Sequence, residues 1–518
     1  MIETLETLVT LLGVIAVVSV LAARLKVTPA ILLVLAGVGM ALVPGLPHVE
    51  LAPELVLLLV LPPVIYASAV AMSWREFRAH LRPISMLAVG CVVFTTVAAA
   101  AAAHYLLGFS WEVGFVLGAI VSPPDAMAPL SLARELKLPR RLFTILEGEG
   151  LVNDATALVI YRFAIAAVAV GTFHLGEAVA EFFAIVAGEI VWGIGVGWVL
   201  LRLRRWTGLP KIEVLLSLLV PYAAYWPPEY LGGSGVLATV AAGLYFSSNG
   251  LRLISAGTRL QGVFFWDFFI YLVEGMVFLI TGLQARGLVE GIHGYTAGDL
   301  VIAAAVVSAA VIVSRFVWMY PATYLPRWLV PAIRRREPRP PWTYPFAAGF
   351  IGIRGIVSLA AALAIPLETE QGLAFPHRDL ILFLTFCVIL VTLVGQGLLL
   401  PSVIRGLGLT AIGKRERHAD RLQESQVRVE AVEAVVAATL HARHRERLRH
   451  LAGRRSEDAG QKRHNDYCEE VEFDLIEAER DIVNRIYREG RLKDEARRRL
   501  ERELDLRTAH LENLRDDE

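Results

Sequence analysis

A succession of thirteen apolar runs leaves this chain few ways to fold. They lie at roughly 5–23, 27–44, 53–71, 83–107, 112–132, 143–170, 177–201, 211–227, 234–249, 261–284, 298–323, 344–366 and 379–404. About 20 apolar residues cross a bilayer, with latitude for tilt and interruption. Because hydrocarbon offers no hydrogen bonds, a segment there satisfies its backbone internally, as a helix. The basic residues test the division separately. Loops after odd-numbered runs hold twenty Lys/Arg, from Arg24 and Lys26 to Arg336 and Arg339, whereas loops after even-numbered runs hold only Arg286 and Arg378. One wrongly merged run would destroy that alternation. By the positive-inside rule it predicts an outside N-terminus and a cytoplasmic C-terminal tail.

Composition agrees. The chain is 55% hydrophobic with a mean hydropathy of +0.54, too apolar for a soluble protein of this length. Its zero formal charge hides an asymmetry, since residues 414–518 carry 24 of the 50 Lys/Arg and 26 of the 50 Asp/Glu. Two regions follow: a membrane domain, 1–410, and a charged tail, 411–518. The tail places Val429, Val432, Val435 and Val436, and later Val471, Leu475, Ile482 and Ile486, at helical spacing around a linker from Ala452 to Asn465. Its balanced charge argues against a nucleic-acid surface, and its partner stays open between a solvated helical cap and a regulatory element. Cys91, Cys387 and Cys468 are too scattered for a disulfide framework or a zinc site. Glu3 and Glu6 replace the basic start of a signal peptide, so the first run reads as a retained helix. Compact loops and no targeting segment suggest a bacterial plasma membrane.

Two runs are broken. Ser122-Pro123-Pro124-Asp125 interrupts the fifth, and Gly349, Gly352 and Gly355 around Arg354 interrupt the twelfth. They are seven apart, and an odd offset relates helices of opposite orientation. Runs 1–6 and 8–13 therefore predict an inverted repeat with the seventh as linker. Paired broken helices point to a transporter's midplane site.

Asp125 and Asp154 lie in or beside these breaks. A carboxylate at that depth costs several kcal/mol and is rarely there without function. A desolvated carboxylate also holds its proton more firmly, so proton and cation compete for one charge. The alternative is that Asp154 is neutralised by Arg162. Asn153 adds an uncharged amide. Glu189 has no evident partner in the sequence.

Glu147-Gly148-Glu149-Gly150-Leu151-Val152-Asn153-Asp154-Ala155 resembles the "Glu-Ser-x-x-Asn-Asp-Ala" signature of the sodium/proton exchangers, family 1 of the monovalent cation:proton antiporters. Ser122-Pro123-Pro124-Asp125 is similar to that family's "Ser-Pro-Thr-Asp" loop, Leu61-Pro62-Pro63-Val64-Ile65-Tyr66 to its "Leu-Pro-Pro-Ile-Ile-Phe", and Glu274, Phe278 and Gly282 to its "Glu-x-x-x-Phe-x-x-x-Gly". The resemblance implies an all-α polytopic fold with crossing broken helices, no cofactor, and a homodimer in membrane lipid. It implies Asp154 as carrier of proton or cation, Asn153 as the mark of electroneutral exchange, Asp125 as a site or dipole-balancing residue, and Glu149 with Arg354 as a buried ion pair. Ser122, Pro124, Gly150, Glu274 and Arg315 surround them, with Glu274 facing a funnel or pairing with Arg315. Asp154 and Asp125 would hold the monovalent cation.

Three positions depart from the pattern. Pro124 and Gly150 stand where the family carries Thr and Ser, removing two hard oxygens, and Ala67 replaces a common acidic residue. The expectation is a Na+ or K+/H+ antiporter, with potassium a serious candidate. A channel or sensor that kept the fold is the alternative from another class. A remoter one is an intramembrane serine protease, on Gly232-Gly233-Ser234-Gly235, but a nucleophile needs a base in reach and His293 and His377 fall in predicted outward loops. The expectation is a transporter and not an enzyme.

Overall fold

The computed structural model describes residues 2–43, 52–125, 127–170, 175–207, 209–250, 254, 256–369, 372–452 and 460–516. Among these, regular structure is helical apart from an isolated bridge between Glu368 and Ala374. All thirteen apolar runs fall on helical segments. Among the described residues, seven helices are long and apolar enough to cross a membrane: Glu6–Leu25, Leu81–Leu107, Arg140–Ala169, Ala180–Arg204, Gly257–Glu290, Ala297–Leu329 and Arg378–Gly406. The other runs fall on shorter, proline-containing or interrupted helices, among them Pro29–Ala41 and Pro210–Tyr230.

The chain divides into two compact units. The first comprises Met1–Trp206, Leu215–Leu253 and Trp266–Ile412. Its main core gathers Ala99, Ala103, Val116, Leu117, Ile120, Leu151, Ala155, Val307, Leu384 and Val388. Lipid tails are as apolar as Leu, so helices in a membrane associate through close backbone approach at small residues. The alanine run 98–103 provides this, with Ala99, Ala100 and Ala103 fully buried against Trp111–Val121. A Cβ on Gly118 would lie 2.4 Å from the Thr96 carbonyl oxygen. Large apolar side chains left outside, such as Val191, Phe183 and Val301, suit a lipid solvent.

The second unit comprises Thr207–Val214, Ile254–Phe265 and Gly413–Glu518. Helices Gly460–Arg488 and Asp494–Asp516 pack around Ile482, Val483, Ile486, Leu492, Ala496 and Leu500, with Val427 of helix Leu409–Ala452. Buried Asp505 accepts from Arg259 and Arg480. The expected linker is shorter than 452–465. Residues 453–459 lie outside the described ones, and 460–465 are already helical, where Gln461, Lys462 and Arg463 favour a helix. Ile482 and Ile486 are buried as their spacing predicts, whereas Val429 is exposed.

Candidate functional site

Both breaks form where the sequence places them. Helix Trp111–Val121 stops before Pro123-Pro124, which have no N–H to continue it, and the chain resumes as Met127–Glu135. Helix Thr343–Phe350 stops before an extended stretch and resumes as Ile356–Leu363. The two breaks meet. The Asp125 amide donates to the Ile353 carbonyl at 2.7 Å, and Arg354 Nη1 donates to the Ser122 carbonyl.

The three glycines of the second break each face a specific neighbour. A Cβ on Gly349 would press on the Phe316 ring at 2.8 Å, one on Gly352 would lie 2.3 Å from Arg315 Cδ, and one on Gly355 would lie 1.8 Å from Asp125 Oδ2. Glycine here is a matter of space, because the φ of Gly355 is −137°. The charges also oppose the ends of the half-helices. Arg354 binds a carbonyl at the C-terminus of Trp111–Val121, and Asp125 lies against Gly355, which precedes Ile356–Leu363. Each places a charge where the helix dipole favours it.

Asn153 and Asp154 lie on the long helix Arg140–Val170. Asn153 is fully buried, and its Nδ2 donates to the Pro124 carbonyl while its Oδ1 accepts from the Asp154 amide at 2.8 Å. Asp154 is half-buried, and among the described residues nothing donates a hydrogen bond to its carboxylate. Arg162, the alternative neutraliser, is paired with Glu229. Ser122 is buried and donates to Ala119, closing its own helix end.

The buried ion pair differs from expectation. Glu149 pairs with Arg315, not Arg354: Arg315 Nη1 and Nη2 donate to the two Glu149 oxygens at 2.6 and 2.9 Å, and its Nε donates to the Ala348 carbonyl at 3.1 Å. The absence of a side chain on Gly352 lets the Arg315 stem pass, while Arg354 is drawn to the open carbonyl of Ser122. Of the two alternatives for Glu274, pairing with Arg315 is not seen, because that guanidinium is committed to Glu149. Glu274, on Ala256–Leu283, is half-buried with Asp125 and Arg134 as its charged neighbours. A small cavity lies between Pro124, Asp125, Glu149, Gly150 and Arg315, backed by Leu130, Leu146 and Ile351.

Two features escaped the sequence reading. Thr392, in a π-helical turn at Val391–Gln396, accepts from the Arg354 amide at 2.9 Å and anchors the second break. Glu189 accepts from the amides of Ser234, Gly235 and Leu237 and from Ser234 Oγ, so it closes the start of helix Val236–Asn249. The Ser234 hydroxyl is thereby a capping group. The signal for Glu189 was present, a lone apolar-face carboxylate beside a Gly-Gly-Ser-Gly helix start, but the distance of 45 residues concealed it.

A family model described as sodium/hydrogen exchanger, transmembrane, matches residues 8–406. Over 413 residues, 79% of this chain and 75% of the relative, the sequence is 37% identical to an uncharacterised Na+/H+ exchanger of Mycobacterium tuberculosis. It is 32% identical over 365 residues to the sodium, potassium, lithium and rubidium/H+ antiporter of Bacillus subtilis, covering 68% of this chain and 54% of that one. Among solved structures, the fold is similar to the sodium proton antiporter MjNhaP1 of Methanocaldococcus jannaschii, with a TM-score of 0.61, 17% identity, and coverage of 78% of this chain and 99% of that one.

Proposed function

The chain belongs to the sodium/hydrogen exchanger family, a family of transporters and not enzymes, and from that premise we propose that it exchanges Na+ or K+ for H+, one for one, by alternating access. The observation that carries this reading is Asp154: a carboxylate on the long helix next to Asn153, which binds the first break, without a hydrogen-bond donor among the described residues and with its neighbouring arginine engaged elsewhere. A carboxylate so placed binds a proton or a partly dehydrated cation, and not both at once. Asn153 ties the carrier helix to the first break, Asp125 completes the polar site, and Glu149, Arg315 and Arg354 hold the breaks in register. With Asn rather than a second acid beside Asp154, one cation replaces one proton and the cycle moves no net charge. The loss of hard oxygens at Pro124 and Gly150 favours a larger, less tightly held cation. The Bacillus relative's name, which spans four alkali cations, agrees with an unselective site.

The same reading takes residues 1–410 as the transport domain, working as a homodimer in a bacterial plasma membrane, with the N-terminus outside and residues 411–518 in the cytoplasm. The test is proton movement in proteoliposomes holding an internal pH dye, with sodium, potassium or lithium added in turn and Asp154→Asn as the paired control. Cation-driven proton movement that ignores membrane potential and vanishes in the variant is expected. Proton movement unaltered in Asp154→Asn would remove Asp154 from the carrier role, and cation flux without proton counter-flux would make the protein a channel.

A further inference from the structure

From the last turn of helix Ala297–Leu329 to the start of Thr343–Phe350 the chain reads Arg327-Trp-Leu-Val-Pro-Ala-Ile-Arg-Arg-Arg-Glu-Pro-Arg-Pro-Pro-Trp342, with five arginines, Arg327 included, and one acid. The acid, Glu337, is enclosed by arginines from three helices. Arg82 Nε and Nη2 donate to it at 3.1 and 2.6 Å, Arg141 Nη2 at 3.1 Å and Arg327 Nη2 at 2.8 Å. One carboxylate thus faces three guanidinium groups. Among the described residues nothing accepts from Arg82 Nη1 or Arg327 Nε, although the Arg327 side chain is only 4% exposed. Beside this cluster Arg334, Arg335 and Arg339 are exposed. Trp328, Leu329 and Trp342 are also exposed, at 73%, 62% and 59%.

Excess positive charge bracketed by exposed tryptophans at the end of a membrane helix matches the composition of the headgroup layer. Tryptophan settles at that depth, and juxtamembrane arginines there gain from anionic lipid. We propose that this segment, with Arg82 and Arg141, is a docking surface for the phosphate headgroup of an anionic phospholipid. Glu337 fixes the loop to the starts of the neighbouring helices, and the lipid phosphate neutralises the arginines that Glu337 leaves over. The exposed tryptophans favour a lipid over a free phosphate ion, because only a lipid brings acyl chains to cover them. The surface stands apart from the exchange site, and its test does not depend on transport.

The full chain in a neutral detergent is titrated with short-chain phosphatidylglycerol, phosphatidylcholine or inorganic phosphate while its unfolding temperature is followed. Phosphatidylglycerol alone is expected to stabilise it. In R334Q/R335Q/R339Q the phosphatidylglycerol midpoint should weaken by roughly tenfold or more, with lipid-free unfolding unchanged because these side chains are exposed. Equal stabilisation by inorganic phosphate, equal stabilisation by phosphatidylcholine, no effect of phosphatidylglycerol, or an undiminished effect in the variant would each overturn the proposal.

Discussion

Arg315 and Glu149 form a two-pronged ion pair, Nη1 to Oε1 at 2.6 Å and Nη2 to Oε2 at 2.9 Å, with both side chains 2% exposed. It joins helix Arg140–Val170 to Ala297–Leu329, and through Arg315 Nε to the Ala348 carbonyl it also holds the helix leading into the second break. A buried pair of this kind adds little over an apolar replacement, but losing one member strands the other. Glu149→Gln or Arg315→Gln is therefore expected to cost about 3–5 kcal/mol of stability. The double variant Glu149→Leu/Arg315→Met should cost much less than the sum. A thermodynamic cycle on unfolding measures the coupling. A larger coupling between Glu149 and Arg354 than between Glu149 and Arg315 would contradict the pairing.

Glu337 gives the pH dependence a definite sign. Burial alone would raise its pKa, but the Arg82 hydrogen bond and the charges of Arg82, Arg327 and Arg141 outweigh it and hold the group below its ordinary 4.5. A depressed folded-state pKa stabilises above the unfolded value, and that stabilisation is lost as pH falls through the folded one. The advantage of wild type over Glu337→Gln in unfolding temperature should stay level from neutral pH down to 4.5 and shrink below it. An advantage that grew on acidification would show that Glu337 is held protonated.

The sequence located the helices and both breaks because each rests on local chemistry: apolar length, proline without an N–H, glycine where space is short. That Asn153 and Asp154 sit on a long apolar helix was legible for the same reason. Partners were less so. Arg315 and Arg354 are both arginines in late apolar runs, and the choice between them turns on Gly352 making room for one stem and Ser122 exposing a carbonyl to the other. No spacing rule encodes that. Likewise Glu189 looked unaccompanied because its partners are mostly backbone amides, which every sequence has and none announces.

Those amides make Glu189 sensitive to a change of one atom. Its carboxylate accepts from three N–H groups and a hydroxyl at the start of Val236–Asn249. Glutamine keeps one acceptor oxygen and sets an NH2 against amide donors, leaving buried N–H groups unpaired at about 1–3 kcal/mol. Ser234→Ala removes only the hydroxyl and should cost about 1 kcal/mol. Thermal unfolding of the two variants, Glu189→Gln lower than Ser234→Ala, is the expected order. The reverse order would assign the helix start to Ser234.

Gly355 tests the crossing itself. Its φ of −137° and ψ of −153° suit any residue, so an alanine there is not opposed by backbone strain. It is opposed by Asp125, whose Oδ2 would lie 1.8 Å from the new Cβ, a separation that forces the carboxylate or the break to move. Gly349 makes the matched control, because its added Cβ would meet only the edge of the Phe316 ring, at 2.8 Å. If Asp125 serves the site from this position, Gly355→Ala should reduce cation-driven proton movement by tenfold or more, roughly the effect of about 1.4 kcal/mol in the transport barrier. Gly349→Ala should lower stability more than rate. Equal transport by the two variants in the dye-loaded vesicles would mean that the position of Asp125 against the second half-helix does not matter to exchange, and its role would reduce to balancing the helix end.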